Sequence, residues 1–258
     1  MIKKNLFLLL IILTAISCLS QESNKDKSTD KNESGVKLDG NTIISIDGYD
    51  VRKYEVEFYD LGIDYKELNF NHVLCLAAEN CDLEMMKKLL SNGANANMIC
   101  DVDHILTEIA FCDETAVEVT KLFLKHGADV NGSDEENSTF LSYAVGQDNI
   151  ELVKLILANG GDPMIIVATT NLGCLAFHDC ESIAMFELLR PYYKDLNVQC
   201  RNGRSLLHFC ARENLEELAR YILANKLIDK SLLDGNGESA FDYAHKVGNE
   251  NLSKLLKY

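Results

Sequence analysis

Apolar and polar positions along most of this chain fall into recurring pairs of short helical stripes. The closing segment "DGNGESAFDYAHKVGNENLSKLL" (Asp234 to Leu256) shows the unit. Asp234 and Gly237 predict a turn, and Phe241 and Ala244, three apart, share one face of a first helix. Gly248 breaks that helix, and Leu252, Leu255 and Leu256 form the stripe of a second. The same order recurs upstream. "RNGRSLLHFCARENLEELARYILANK" carries Leu207, His208 and Cys210, then Leu218, Ile222 and Leu223. "STFLSYAVGQDNIELVKLILANGGDP" carries Thr139, Leu141 and Ala144, then Ile150, Val153, Leu155 and Ile156. "HILTEIAFCDETAVEVTKLFLKHGADVNG" and "HVLCLAAENCDLEMMKKLLSNGANANM" are two further copies. Gly93, Gly127 and Gly160, which end second helices, lie 34 and 33 residues apart. A fixed period of this length with two helices per unit predicts an all-α solenoid, in which each unit buries its apolar faces only against its neighbours.

The segments "KHGADVNG", "SNGANANM", "STFLSYA", "SLLHFCA" and "GESAFDYA" resemble the ankyrin repeat. The resemblance covers residues 70–258 and implies an ankyrin-repeat solenoid of about five to six repeats, with hairpin-like tips between the helix pairs. The chain departs from the family at the Pro of its T-P-L-H stretch, where it has Val73, Phe140, Leu206 and Ala240; only His208 is read as keeping the His. "NLGCLAFHDCESIAMFELLRPYYKDLNVQ" reads as a degenerate copy whose second helix ends early at Pro191. The last copy surrounds its apolar stripe with Asp242, Lys246, Asn249, Glu250 and Lys254, as a solvent-facing cap requires.

The N-terminal third reads differently. Residues 41–69 alternate apolar and polar positions around Asp47-Gly48, which is a hairpin signal, while "EFYDLGIDY" equally resembles the end of a second helix and its following turn. Either would cover the first repeat. The opening "MIKKNLFLLLIILTAISC" has Lys3 and Lys4 before an apolar run from Leu6 to Ile16, the form of a secretory signal over residues 1–17. "TAISC" resembles the lipobox of bacterial lipoproteins, with Ile16 and Ala15 as departures, and implies lipidation of Cys18 and attachment to the bacterial envelope. Residues 18–40 would then be the lipidated Cys and a polar tether expected to stay disordered.

The formal net charge of −15 over 258 residues disfavours nucleic acid as a partner, since counterion release needs clustered Lys and Arg. No G-x-S-x-G elbow, P-loop or H-E-x-x-H is present, and nothing points to an enzyme or a cofactor. His208 is read as a structural histidine: the resemblance implies that it bonds backbone between repeats. Eight cysteines follow Cys18. Cys75 and Cys210 sit on first helices and favour buried thiols packing as small hydrophobes; an even count in an exported chain leaves disulfides as the alternative. Cys174, His178 and Cys180 could supply three metal ligands, against which stands the lack of a fourth ligand or a C-x-x-C knuckle.

The resulting expectation is a membrane-anchored, non-catalytic module that binds a protein partner. Asp101, Asp103, Asp134, Glu135 and Glu136, on successive tips, are the candidate partner-binding residues and would suit a basic surface. Two other functions fit the same features: thiol-based protection or metal binding in the envelope, and an immunity or inhibitor protein that shields one enzyme.

Overall fold

A computed structural model of the chain describes residues 30–31, 36–39, 42–46, 49–50, 70–100, 103–134, 137–167 and 173–257. Helix α1 (Phe70–Glu79) pairs with α2 (Leu83–Ser91), α3 (Ile105–Ile109) with α4 (Ala116–Lys125), and α5 (Phe140–Gly146) with α6 (Ile150–Ala158). A 3-10 turn (Ala176–Asp179) then pairs with α7 (Ile183–Leu189), α8 (Leu206–Arg212) with α9 (Glu216–Ala224), and α10 (Ala240–Lys246) with α11 (Glu250–Leu256). The second helices of the six pairs start at residues 83, 116, 150, 183, 216 and 250, always 33 or 34 residues after the one before. The all-α solenoid predicted from periodicity is therefore the observed architecture.

Local chemistry sets that register. Asp82, Asn149, Ser182 and Asn249 cap second helices, their side chains accepting from the backbone N–H of Met85, Leu152, Met185 and Leu252. Such a cap contributes about 1 kcal/mol. Just before the helix, Asp148, Asn214 and Gly248 hold the left-handed conformation that turns the chain back, with φ of 49°, 61° and 77°. At the far end Gly93, Gly127 and Gly160 have φ between 83° and 89°, and an added Cβ would meet nothing within 4 Å. These glycines are needed for backbone conformation rather than for close packing. Each second helix then buries one stripe, as α4 buries Ala116, Val119, Thr120 and Phe123. The stripes of all six pairs join in one continuous core.

Side-chain ladders tie one repeat to the next along the tips. The Asn97 amide accepts from Asp129 N–H and donates to the Gly127 carbonyl at 3.0 Å; Asn131 does the same with Asp162 and Gly160. Asn197 accepts from Asp229 N–H at 2.7 Å. Met164 stands where the ladder would place another Asn, and there the Tyr193 hydroxyl donates to the Pro163 carbonyl at 2.7 Å instead.

The fourth repeat is the irregular one, as its sequence foretells. Its first helix is a single 3-10 turn, and its second gives way at Arg190–Tyr192 to a further 3-10 turn containing Pro191. Aromatic rings fill the space a longer helix would occupy. Phe177 packs against Phe186 and Tyr193 with centroids 5.5 and 4.7 Å apart.

Three expectations are revised. The preferred reading of the cysteines as free thiols fails for six of them: Cys75–Cys100, Cys81–Cys112 and Cys174–Cys200 are disulfides, and among the described residues only Cys180 and Cys210 are free, both buried. Each bridge joins a first helix or its flank to a tip or turn, a pairing set by repeat geometry rather than by local spacing. Second, the stretch expected to be a disordered tether contributes β1 (Asp30–Lys31) and β2 (Val36–Asp39) to an antiparallel sheet in the order β1-β2-β3-β4, with β3 (Thr42–Ile46) and β4 (Tyr49–Asp50). Ile46 pairs with Tyr49, so β3 and β4 are antiparallel neighbours, as in the hairpin alternative for this region. Third, His208 is not alone in the family's His position, as described below. Residues 51–69 and Cys18 lie outside the described residues. Among the described residues, no helix is long and apolar enough to cross a membrane.

Candidate functional site

The first helices and the tips form the face on which a solenoid of this kind offers side chains. At the start of the first helix in repeats two to six one position closes a local hydrogen-bond ring. It is held by Thr107, Ser142, His178, His208 and Asp242 in successive repeats. Thr107 Oγ1 donates to the His104 carbonyl at 2.6 Å; Ser142 and Asp242 form capping boxes with Thr139 and Ser239. His208 Nδ1 lies 3.1 Å from Ser205 N, and its Nε2 reaches the Glu238 carbonyl at 3.1 Å. His178 repeats this with Leu175 and the Val198 carbonyl. Burial lowers the pKa of both imidazoles below 6.5, keeping them neutral. Neither has a free nitrogen with which to activate a nucleophile.

The next position in these repeats is held by Glu108, Tyr143, Asp179, Phe209 and Tyr243, of which Phe209 is buried and the other four are half-buried. Phe111 meets Tyr143 edge-on at 5.3 Å, which extends an aromatic surface across two repeats. At the fourth repeat the surface dips. Because its first helix is only one 3-10 turn, a cleft of about 210 Å³ opens between Gly146, Asp179, Glu181, Phe209, Arg212 and Glu213. Gly146 leaves one wall without a side chain. Arg212 lies 4.9 Å above the Phe209 ring while its Nε donates to Glu213 at 2.5 Å. Burial pushes the Asp179 carboxyl up to about 7, with the Arg212 guanidinium opposing the shift and Glu181 adding to it. No hydrogen bond reaches that carboxyl from the described residues, so it is available to a visiting group.

The cleft also touches Cys180, which, with Cys210, occupies the small-residue position of its first helix. Burial holds the Cys180 thiol well above its usual range and raises Cys210 to about 12. Neither is a thiolate near neutrality, so neither is a nucleophile. The cleft suits recognition of a side chain better than chemistry on it.

The tips carry a second feature. Counting by the repeat, one position recurs at Ile99, Ser133, Ile166, Gln199 and Leu233, exposed in all but Ser133, which is half-buried. Its three apolar members are 47%, 47% and 52% exposed, and Met164 beside them is 51% exposed. Among the described residues, about half of each of these side chains is left uncovered.

The sequence-predicted acidic residues are placed unevenly. Asp101, Glu135 and Glu136 lie outside the described residues. Asp103 is half-buried in the tip hairpin β5 (Ile99–Cys100) and β6 (Asp103–His104), paired with Cys100. Asp134 is buried, accepting from Ser138 N–H at 2.7 Å and from the Tyr143 hydroxyl at 3.0 Å. The expectation of a solvent-facing charge at Asp134 is thus not met: the carboxylate is committed to its own tip. Asp234, one hundred positions on, does the same with Glu238 N–H and the Tyr243 hydroxyl. The metal reading of Cys174, His178 and Cys180 is altered too, because the two sulfurs beside His178 are those of Cys174 and Cys200, bonded to each other.

Comparison with known proteins places these features. A family model described as "Ankyrin repeats (3 copies)" matches residues 74–166. Among curated proteins, the chain is 29% identical over 144 residues to the putative ankyrin repeat protein L371 of Acanthamoeba polyphaga mimivirus. It is 29% identical over 134 residues to the putative ankyrin repeat protein FPV018 of fowlpox virus. Those matches take in 55% and 51% of this chain but only 19% and 18% of the two relatives' lengths. Among solved structures, a chain from the complex of the Bd0816 predatory endopeptidase of Bdellovibrio bacteriovorus with immunity protein Bd3460 is similar, with a TM-score of 0.62 and 23% identity, over 71% of this chain and 95% of that one.

Proposed function

We propose, from the premise that the fold is an all-α ankyrin-repeat solenoid, that the protein is a non-catalytic module that seats one protein partner on its tips and first helices. The observation that carries this is the apolar row at Ile99, Ile166 and Leu233, which repeats with the solenoid and leaves about half of each side chain exposed among the described residues. Aromatic anchors beside a polar cleft are what a protein interface uses for affinity and specificity. The cleft at Asp179 supplies the polar component, with the Asp179, Glu181 and Glu213 carboxyls gathered around the Arg212 guanidinium. The export reading belongs to the same proposal. A signal over residues 1–17 and lipidation at Cys18 would hold the module at the bacterial envelope, and three disulfides fit the oxidising conditions met outside the cytoplasm.

A second reading has one observation in its favour. The similar solved structure is titled as a complex of an endopeptidase with an immunity protein, which suggests an enzyme as the partner and inhibition as the purpose. One experiment addresses both readings. A photocrosslinking residue is placed at Ile166 or Leu233, and as a control at Lys121 or Lys154 on second helices. The proposal expects a discrete adduct from the tip positions alone. Adducts from both faces, or from second helices only, contradict it. Identification of an adduct as an exported hydrolase, with loss of its activity on binding, selects the second reading.

A further inference from the structure

We propose that Cys174, Cys200 and His178 form a redox-gated site for a zinc-class divalent metal ion, closed while the two cysteines are bonded and opened when their disulfide is reduced. The ligand atoms of these three residues already lie within 4.8 Å of one another, at the junction of the fourth repeat with the fifth tip. Tetrahedral zinc with thiolate and imidazole ligands needs them roughly 3.5–3.8 Å apart, so only short movements separate the closed from the open form.

The backbone keeps these residues in place independently of the S–S bond. Cys174 is bridged to Val167 through two hydrogen bonds of 2.7 and 3.0 Å. Cys200 N–H donates to the Arg204 carbonyl, and the Cys200 carbonyl accepts from Gly203 N–H, both at 2.8 Å. Two thiols freed here would stay close together. His178 is arranged as a ligand would be. The Val198 carbonyl can only accept, so Nε2 carries the proton and donates to it at 3.1 Å. A metal-bound histidine commonly donates its other N–H to a backbone carbonyl in this manner. At Nδ1 the metal would displace the 3.3 Å contact from Leu175 N–H and the 3.2 Å approach of the Leu175 carbonyl, which the Nε2-protonated tautomer leaves unbonded. The comparison within the chain is informative: His208 shares the backbone role of His178, but Arg204 and Asp234 stand where the fourth repeat has its two cysteines. The sulfurs are therefore an addition to the structural histidine.

The chemistry balances with a dithiol reductant. The dithiol transfers two electrons to the Cys174–Cys200 bond and becomes a cyclic disulfide, while the protein gains two thiols. Binding of the metal ion then displaces both thiol protons to solvent and forms two metal–thiolate bonds. Three protein ligands leave the fourth position to water, which makes a labile site rather than a permanent one. The proposal is independent of the protein-partner reading.

The test uses the full chain, reduced with a dithiol, freed of it without oxygen, and titrated with Co²⁺ and then with zinc as competitor. Expected is thiolate-to-cobalt charge-transfer absorption that saturates at one ion per chain and is abolished by zinc. Cys174→Ser, Cys200→Ser and His178→Asn should each remove it, whereas a Cys75→Ser, Cys81→Ser double variant should not. The unreduced protein should take up no ion. His178→Asn could fail to fold; Cys200→Ser, at a tip, then carries the test. Absence of the band in the reduced protein, or its persistence in Cys200→Ser, overturns the proposal.

Discussion

At the scale of the residue, the tip aspartates show how one side chain can be taken for a binding group. Asp134 and Asp234 each accept from the backbone of their own tip and from a tyrosine on the next helix, Tyr143 or Tyr243. Their carboxylates are an internal scaffold. Replacing Asp134 with Ala should strand the Tyr143 hydroxyl and a buried N–H, destabilising the fold by about 1–3 kcal/mol in chemical denaturation. An unchanged midpoint would mean the charge faces solvent after all. Histidines give a matching signature in pH. Burial holds His104, His178 and His208 below their ordinary 6.5, so the folded state favours the neutral form. The stability they contribute is present above pH 6.5 and is lost as the pH falls below it, because the unfolded chain takes up the protons first. Asp179, raised to about 7, acts in the opposite sense over the same range, so the histidine effect is read as a difference: between pH 7 and pH 5 the unfolding temperature of the parent should fall relative to that of His208→Asn. An identical pH dependence in the two proteins would contradict the assignment.

At the scale of the element, the register of the closing repeat can be tested at Ala244, which is fully buried. A larger charged group there meets packed helices and no partner. Ala244→Glu should destabilise the protein by on the order of 3 kcal/mol, read as a lower unfolding temperature; a midpoint within a degree of the parent would show α10 to be misplaced. Helix pairs of this kind were legible in the sequence because their signals are local: a glycine after three of the second helices, an Asp, Asn or Ser cap before four, and an apolar stripe at helical spacing. The fourth repeat was legible only in outline. Pro191 announced the early stop, but the shortened first helix hid the equivalence of "FHDC" with "LHFC", and with it His178 and the cleft at Asp179. Aligning those two stretches would have revealed both. Disulfide partners were not legible, since Cys75 and Cys100, or Cys174 and Cys200, meet only once the chain has wound a full repeat.

At the scale of the whole molecule, three bridges span consecutive units. Each closes a loop of 25 to 31 residues and adds about 2–4 kcal/mol on the chain-entropy account. Denatured without reductant, the body should titrate as two thiols, Cys180 and Cys210, and after reduction as eight, with the Cys18 thiol counted separately where it is unmodified. Eight thiols before reduction would contradict the bridges. Reduction should also lower the unfolding temperature well beyond the effect of any single surface substitution. The described stack carries two surface features of its own, the apolar tip row before the first helices and the cleft at their C-terminal ends. The most direct measurement of the claim that the tip row seats a partner is binding of the crosslinked partner by a variant carrying Ile99→Asp, Ile166→Asp and Leu233→Asp together. All three sites are exposed, so folding stability should change by no more than about 0.5 kcal/mol per site. The account predicts at least a tenfold loss of affinity, about 1.4 kcal/mol, with the solenoid intact. Unaltered affinity in a correctly folded variant would contradict it.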